Sequence, residues 1–222
     1  MSDTLQLAII LLPCLIVAIV FHEVAHGWAA LALGDPTARE ARRLTLNPIR
    51  HVDPIGTVIV PGFLALVGAP VFGWAKPVPV DARRLRNPRG GMMAVAAAGP
   101  MTNFILALIG AVALGVVTRI GAPSDLVTQG VFTFILINLF IGIFNLLPIP
   151  PFDGSHIVEG ALPRRWAVGY EKLRPYGMLL FLALIAAAWA FPSFDLIQRL
   201  IGPPVQWALS QYLTIAAFFA GG

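Results

Sequence analysis

Long apolar segments separated by short polar stretches dominate the chain. A membrane-spanning helix needs about 20 residues, and segments close to or above that length occur at about residues 5–33, 91–117 and 130–147. Shorter apolar segments follow at about 176–191 and 204–219. A sixth, at 55–73, contains Pro61 and Pro70, so it either crosses as a kinked helix or enters the membrane and returns. The pattern predicts an all-α integral membrane protein, a polytopic bundle of five or six hydrophobic segments.

Composition agrees with this fold class. Hydrophobic residues make up 58% of the 222 residues and charged residues only 12%, too little polar surface to coat a soluble globule of this size. We expect one membrane domain over residues 1–222, with a catalytic core at about 5–160 and C-terminal helices at about 174–219. The net charge of +4 comes from arginines beside the apolar segments. Their positions are explained better by the orientation of a membrane protein than by binding to nucleic acid. No nucleic-acid partner is predicted.

Basic residues favour one orientation in the membrane. They cluster in the polar stretches at 34–54, 74–90 and 163–175, and such stretches usually face the cytoplasm. If 55–73 crossed fully, the first two stretches would lie on opposite sides, whereas a re-entrant segment removes the conflict. The prediction is a multi-pass protein of the cell membrane with its N-terminus outside and its first helix running inward.

The first apolar segment contains His22, Glu23 and His26. This HExxH spacing places two imidazoles one helical turn apart on the same face, as in a metalloprotease zinc site, with the glutamate placed to activate water. Ionisable groups at membrane depth are costly and therefore point to function. At 1.5 Å per residue, His26 lies roughly 10 Å from the helix end, so the predicted site lies toward the cytoplasmic side.

A catalytic zinc takes three protein ligands and keeps a position for water. Asp153 ranks first as the third ligand, because a proline-rich turn that follows the segment at 130–147 can hold a carboxylate at the cytoplasmic mouth. Taken alone, the same turn is also typical of an ordinary exit loop with an Asp-Gly turn. The competing candidates are His51, Asp53, His156 and Glu159, and for the two histidines an interfacial position is the alternative.

Three ordered motifs resemble those of the site-2 proteases, the intramembrane zinc metalloproteases. They are HExxH at 22–26, Gly-Pro-x-x-Asn at 99–103 and Asn-x-x-Pro-x-Pro-x-x-Asp-Gly at 145–154. The segments at 46–57 and 73–80 look like the compact bacterial and archaeal branch that has no PDZ domain. The resemblance implies one Zn²⁺ per chain held by His22, His26 and Asp153, with Glu23 as general base and transmembrane proteins as substrates.

Three asparagines in the apolar segments admit more than one interpretation. Asn103 is either an interhelical hydrogen-bonding group or, as the resemblance implies, a donor to substrate backbone or to the oxyanion. For Asn145 the same alternatives hold, and we favour a brace for the Asp153 loop. We interpret Asn138 as a packing residue.

Residues 43–57 alternate apolar and polar side chains in part. One hypothesis is a small membrane-associated β element on which unwound substrate is held by strand addition. The alternative is a solvated loop with proline-ended turns.

Two function classes follow from these residues. The favoured one is an intramembrane zinc endopeptidase that cleaves in or near transmembrane segments. The alternative is a membrane metal-binding or transport protein without hydrolytic activity. Glu23 discriminates between them, because a transporter needs no water-activating carboxylate between its ligands. Oligomeric state and substrate identity are not predicted.

Overall fold

The computed structural model describes residues 3–68, 73–121, 124–191 and 196–221, and within them it contains helices and turns but no strand. The α-helices are α1 (Asp3–Ala32), α2 (Thr37–Glu40), α3 (Val60–Leu66), α4 (Pro88–Ile120), α5 (Asp125–Asn145), α6 (Asp153–Ala161), α7 (Arg164–Glu171), α8 (Gly177–Ala190) and α9 (Leu196–Ala220). The predicted all-α fold class is confirmed.

Within the described residues, four helices are long and apolar enough to cross a membrane. They cover Leu5–Ala32, Pro88–Ile120, Asp125–Asn145 and Arg164–Ala190. The first three correspond to the predicted long segments. The fourth includes the predicted segment at 176–191 and also α7, where a polar loop was expected at 163–175. The predicted segment at 204–219 lies within α9, which is long but less apolar and is not among the four.

Helix α4 is the centre of the bundle and packs against α1, α5 and α9. Asn87 caps its first turn by accepting a hydrogen bond from the Gly90 amide, and Pro88 occupies a first-turn position where a missing N–H costs nothing. Small side chains let the neighbouring helices approach closely. A Cβ atom at Gly115, for example, would lie 2.3 Å from the Ala216 carbonyl oxygen of α9. The buried cluster around this contact comprises Ala107, Ala111, Ile135, Leu139, Ala208 and Ala216.

The ambiguous segment at 55–73 forms a short helical element. A π-helix at Pro54–Ile59 leads directly into α3, and together they are about 20 Å long, less than the roughly 30 Å of a bilayer core. The Trp74 amide then donates to the Gly56 carbonyl at 3.1 Å, so the chain comes back to the point where the segment began. Part of the turn, at 69–72, lies outside the described residues.

The β element considered at 43–57 is not formed. Pro48–His51 is a 3-10 helix capped by Asn47, and the π-helix follows two residues later. The prolines at 48 and 54 start these helical turns, because their fixed φ suits a first turn and they have no N–H to give to a ladder. The extended segment is instead 73–81, which is attached here by the Lys76 amide donating to the His51 carbonyl at 2.9 Å.

Candidate metal site

The paired histidines of α1 face the interior of the bundle. His22 is 5% exposed and His26 is 9% exposed. Their ring centroids are 4.7 Å apart and the rings are nearly perpendicular, at 87°. The i, i+4 spacing on one helix therefore brings both imidazoles to one point, as the sequence predicted.

The third member of the group is Asp153, the first residue of α6. Its Oδ2 lies 3.1 Å from His22 Nε2 and 3.4 Å from His26 Nε2. Ligand atoms of these three residues all lie within 4.8 Å of one another, and they form the one such group among the described residues. The structure thus brings together the three residues predicted as metal ligands from positions far apart in the chain.

The turn before α6 explains how Asp153 reaches the histidines. Prolines at 148, 150 and 151 end α5 and prevent the helix from continuing. The chain then folds back so tightly that a Cβ atom at Gly154 would lie 2.2 Å from the Leu146 carbonyl oxygen. Glycine is therefore required beside Asp153, and the carboxylate is held at the end of α5.

The side chains fit a cation such as zinc. His26 Nδ1 lies 2.7 Å from the Val95 carbonyl oxygen, which can only accept, so Nδ1 carries the hydrogen and Nε2 presents a lone pair. Asp153 Oδ2 is buried and has no hydrogen-bond partner, although it lies close to that lone pair. Electron-rich atoms at this distance repel each other unless a proton or a metal ion lies between them. Two imidazoles and one carboxylate form a donor set typical of catalytic zinc.

The backbone of α4 forms one wall of the site at Gly99. A Cβ atom there would lie 2.5 Å from His26 Nε2 and 2.6 Å from His22 Cε1, so a side chain at this position would collide with both rings. The next residue, Pro100, has no N–H for the carbonyl four residues earlier and breaks the regular hydrogen bonding of this turn. The Gly-Pro motif therefore leaves space beside α4 for the two histidine rings.

Glu23 is half-buried beside the histidines, and its Oε2 accepts a hydrogen bond of 2.9 Å from the Val78 amide. Val78 lies in the extended segment 73–81 and is itself buried against α1 near Gly27. Its neighbours are Pro77 and Pro79, which have no N–H. One carboxylate oxygen is thus fixed, and Oε1 is the oxygen that can take a proton.

The competing ligand candidates lie elsewhere. His51 is buried at the end of the 3-10 helix, with Nε2 2.8 Å from the Thr45 carbonyl oxygen. Asp53 caps the π-helix by accepting from the amides of Ile55 and Gly56.

The other two candidates lie on α6 and pair with one residue of the C-terminal region. His156 Nδ1 is 3.2 Å from Arg174 Nη2, and Glu159 forms an ion pair with the same guanidinium. Burial lowers the pKa of His156, and the charge of Arg174 lowers it further. His156 is therefore neutral near pH 7 and can accept from Arg174.

The asparagines differ in where they lie. Asn103 and Asn138 are fully buried between helices, and Asn103 Oδ1 is 2.6 Å from His22 Nδ1. This position fits the interhelical interpretation of Asn103, because its NH₂ group donates to the Ala18 carbonyl and to Asn138 Oδ1. Asn145 donates to Ile141 in its own helix at 3.0 Å. Among the described residues, no hydrogen bond joins Asn145 to the Asp153 loop.

Several groups around the site were not identified from the sequence. The Val95 carbonyl and the Val78 amide belong to the backbone, which every residue shares, so no residue type could reveal them. Asn138 could have been identified from the sequence, because a polar amide in an apolar helix needs a hydrogen-bond partner.

Known proteins similar to this chain are named zinc metalloproteases. A model of peptidase family M50 matches residues 121–188, which include Asp153. The chain is 41% identical over 175 residues to "Putative zinc metalloprotease YwhC" of Bacillus subtilis (strain 168), covering 77% of each protein. It is 25% identical over 172 residues to "Putative zinc metalloprotease Rip2" of Mycolicibacterium smegmatis, covering 77% of this chain and 64% of the relative.

A more distant relative covers more of this chain. "Zinc metalloprotease MJ0392" of Methanocaldococcus jannaschii is 24% identical over 207 residues, covering 91% of this chain and 49% of the relative. No solved structure matches the chain significantly. The apolar helices and the relatives together indicate a multi-pass membrane protein. The chain belongs to peptidase family M50, as its resemblance to the site-2 proteases predicted.

Proposed function

We propose that the protein is an intramembrane zinc endopeptidase that holds one Zn²⁺ on His22, His26 and Asp153. The observation that supports this most directly is the convergence of Asp153 Oδ2 on the two Nε2 atoms, without a hydrogen bond of its own. Zinc at such a site lowers the pKa of a coordinated water to about 7 and polarises a carbonyl.

Glu23 is proposed as the general base. Its neighbours in the helix are the metal ligands, and its Oε2 is held by the Val78 amide. The free oxygen, Oε1, would take a proton from the attacking water and pass it to the leaving amide nitrogen. This role separates a protease from a protein that only binds or transports the metal, which remains the alternative function.

Transmembrane proteins are the proposed substrates, because His22, Glu23 and His26 lie within the candidate span Leu5–Ala32. A helical substrate has its amides paired internally, so it must unwind locally before a bond can be hydrolysed. The basic stretches at 34–54 and 74–90 follow the site along the chain. We therefore place the protein in the cell membrane with its active site toward the cytoplasm.

The proposed activity is tested with the purified full chain in lipid vesicles that contain a panel of single-span peptide substrates. Glu23→Gln keeps the size of the side chain but removes the base. We expect it to retain zinc and to lose activity by about 10²–10⁴-fold, the usual contribution of a general base. Glu171→Gln is a matched control on the exposed face of α7 and should cleave as the wild type does.

Two outcomes would contradict the proposal. Equal cleavage by wild type and Glu23→Gln would reject Glu23 as the base. Stoichiometric zinc with no cleavage of any panel member, together with zinc flux into the vesicles, would favour the transport function.

A further inference from the structure

The buried amide of Asn103 joins its own helix to two others. Asn103 belongs to α4 and is 0% exposed. Its Nδ2 lies 3.1 Å from the Ala18 carbonyl oxygen of α1 and 2.9 Å from Asn138 Oδ1 of α5. Its Oδ1 lies 2.6 Å from His22 Nδ1.

The orientation of this amide follows from its partners. A backbone carbonyl can only accept, so the atom of Asn103 that faces Ala18 must be the NH₂ group. The second NH₂ hydrogen goes to Asn138. The remaining atom, Oδ1, is therefore the one that faces His22, and neither amide hydrogen is left for a substrate.

Asn138 is fixed in the same way. Its Nδ2 donates to the Phe134 carbonyl oxygen in the preceding turn of α5 at 2.9 Å, which directs its Oδ1 toward Asn103. The two amides thus form a chain of hydrogen bonds with one direction. The NH₂ groups of both asparagines donate away from His22, and Asn103 Oδ1 is left as the acceptor that faces His22.

An acceptor at Asn103 Oδ1 determines the form of the His22 ring. Nδ1 must carry the hydrogen, so in the neutral ring Nε2 presents its lone pair, and Nε2 is the atom 3.1 Å from Asp153. Histidines that bind metals commonly donate their other N–H to a carbonyl or carboxylate, which fixes the ring and makes it a better ligand. In this chain the side chain of an asparagine takes that position.

We propose that Asn103 and Asn138 are positioning residues that hold His22 as a metal ligand, and that Asn103 is not a substrate or oxyanion donor. The proposal rests on the metal site described above but not on the reaction. It assigns a function to Asn138, whose position in the sequence indicated only packing.

The test compares zinc affinity in the purified full chain, measured by competition with a chromophoric chelator. Asn103→Leu has a similar volume and no acceptor, and we expect zinc to bind about 10–100-fold more weakly, as for other groups that orient a histidine ligand. Asn103→Asp restores an acceptor for Nδ1–H and should recover part of the affinity. Thr118→Val, at an exposed position of the same helix, is the control and should bind zinc as the wild type does.

A second measurement covers a failure of Asn103→Leu to fold. Asn138→Leu leaves Asn103 and its acceptor in place but frees its amide to rotate, so a smaller loss of zinc affinity is expected. In the metal-free protein, ¹⁵N spectra of the His22 ring should show hydrogen on Nδ1 for the wild type and a mixture of tautomers for Asn138→Leu.

Several results would overturn the inference. One is unchanged zinc affinity in a folded Asn103→Leu variant, and if kcat alone falls there, Asn103 acts on the substrate instead. Another is a wild-type His22 ring that carries hydrogen on Nε2 and none on Nδ1. If the wild type binds no zinc, the proposed function fails, whereas the ring spectra still decide whether the two asparagines orient His22.

Discussion

At the scale of single residues, Gly99 lies directly against both histidine rings. The collision distances of 2.5 and 2.6 Å to the histidine rings involve short side chains that are themselves held by hydrogen bonds. Neither ring can move aside without leaving its partner, Asn103 Oδ1 or the Val95 carbonyl. The close approach of α4 to α1 and the orientation of the two histidine rings therefore depend on each other.

Gly99→Ala tests this constraint. We expect zinc affinity to fall by at least about tenfold, in the range seen when ligand orientation is disturbed, with the helical fold kept because alanine favours a helix. The measurements are zinc content and far-UV circular dichroism. Gly130→Ala is the control, because a Cβ atom there would have no neighbour within 4 Å. Full zinc binding by Gly99→Ala would show that the rings can move.

The convergence of the proposed metal ligands could be predicted from the sequence because metal binding depends on residue type. His22, Glu23 and His26 have a spacing that few other functions need, and Asp153 follows a turn that its prolines reveal. The role of Asn103 could not be predicted in the same way. An amide offers both a donor and an acceptor, and only the positions of Ala18 and Asn138 decide which one faces the histidine.

At the scale of elements, Asp35 joins the end of α1 to the extended segment 73–81. It is 0% exposed and accepts hydrogen bonds from the Thr37 amide at 3.0 Å and from the Asp81 amide at 2.7 Å. Burial raises the pKa of Asp35, but these bonds, the Thr37 hydroxyl and the charge of Arg84 together lower it below its usual value. The segment that carries the Val78 amide is therefore anchored just beyond Val78.

Asp35→Asn should destabilise the protein by about 1–3 kcal/mol at neutral pH, because hydrogen bonds to a charged carboxylate are lost or weakened. The folded-state pKa is lower than the unfolded one, so this stabilisation is complete above the unfolded pKa and is lost as pH falls through the folded pKa. Unfolding curves of both proteins between pH 3 and 7 measure it. A stability difference that stays constant down to the lowest pH would contradict this origin.

Helix α7 and the 3-10 turn after it stabilise the turn that carries Asp153. The Tyr170 hydroxyl donates to the Pro148 carbonyl at 2.5 Å, and Arg174 pairs with Glu159 of α6. A Cβ atom at Gly177, at the start of α8, would lie 2.8 Å from Pro150. Residues of the C-terminal region thus contact both the proline turn before Asp153 and helix α6 after it.

Tyr170→Phe should leave the fold intact and lower stability by about 1 kcal/mol, the usual net contribution of one hydrogen bond. Zinc should bind a few-fold more weakly, because a more mobile turn loses more conformational entropy when it is ordered around the ion. Tyr176→Phe is the matched control, because this tyrosine is 58% exposed. If both variants lose zinc affinity equally, the Pro148 contact is not the cause.

Hydropathy predicted the long helices but not the elements between them. The stretch at 163–175 is charged and contains prolines at its ends, which favoured a loop, yet α7 begins directly after Pro163, whose fixed φ suits the start of a helix. At 43–57, side-chain alternation favoured strands, but no neighbouring strand is available in the described residues to complete a ladder. A strand depends on a partner elsewhere in the chain, and side-chain alternation does not reveal whether that partner exists.

At the scale of the whole molecule, the return of the chain from Gly56 to Trp74 places both ends of the segment at 55–73 together. If this segment does not cross, the basic stretches at 34–54 and 74–90 lie on the same side of the membrane, as the positive-inside bias predicts.

Cysteine labelling in intact cells measures this topology. In a Cys14→Ala background, we expect Arg39→Cys and Arg86→Cys to resist a membrane-impermeant maleimide until the cells are opened. Ser124→Cys, in the connection between α4 and α5, should react from outside. All three positions are exposed. Labelling of only one of the two arginine positions from outside would mean that 55–73 crosses the membrane.

The short element from the π-helix to α3 has one more consequence. Its apolar side chains point outward, with Ile55 57%, Phe63 61% and Leu66 88% exposed, yet it is far shorter than the apolar helices that are long enough to span a membrane. Seated in lipid, an apolar element this short would draw the neighbouring acyl chains inward to match its length. Local thinning of that kind would shorten the path of water from the membrane surface along this element.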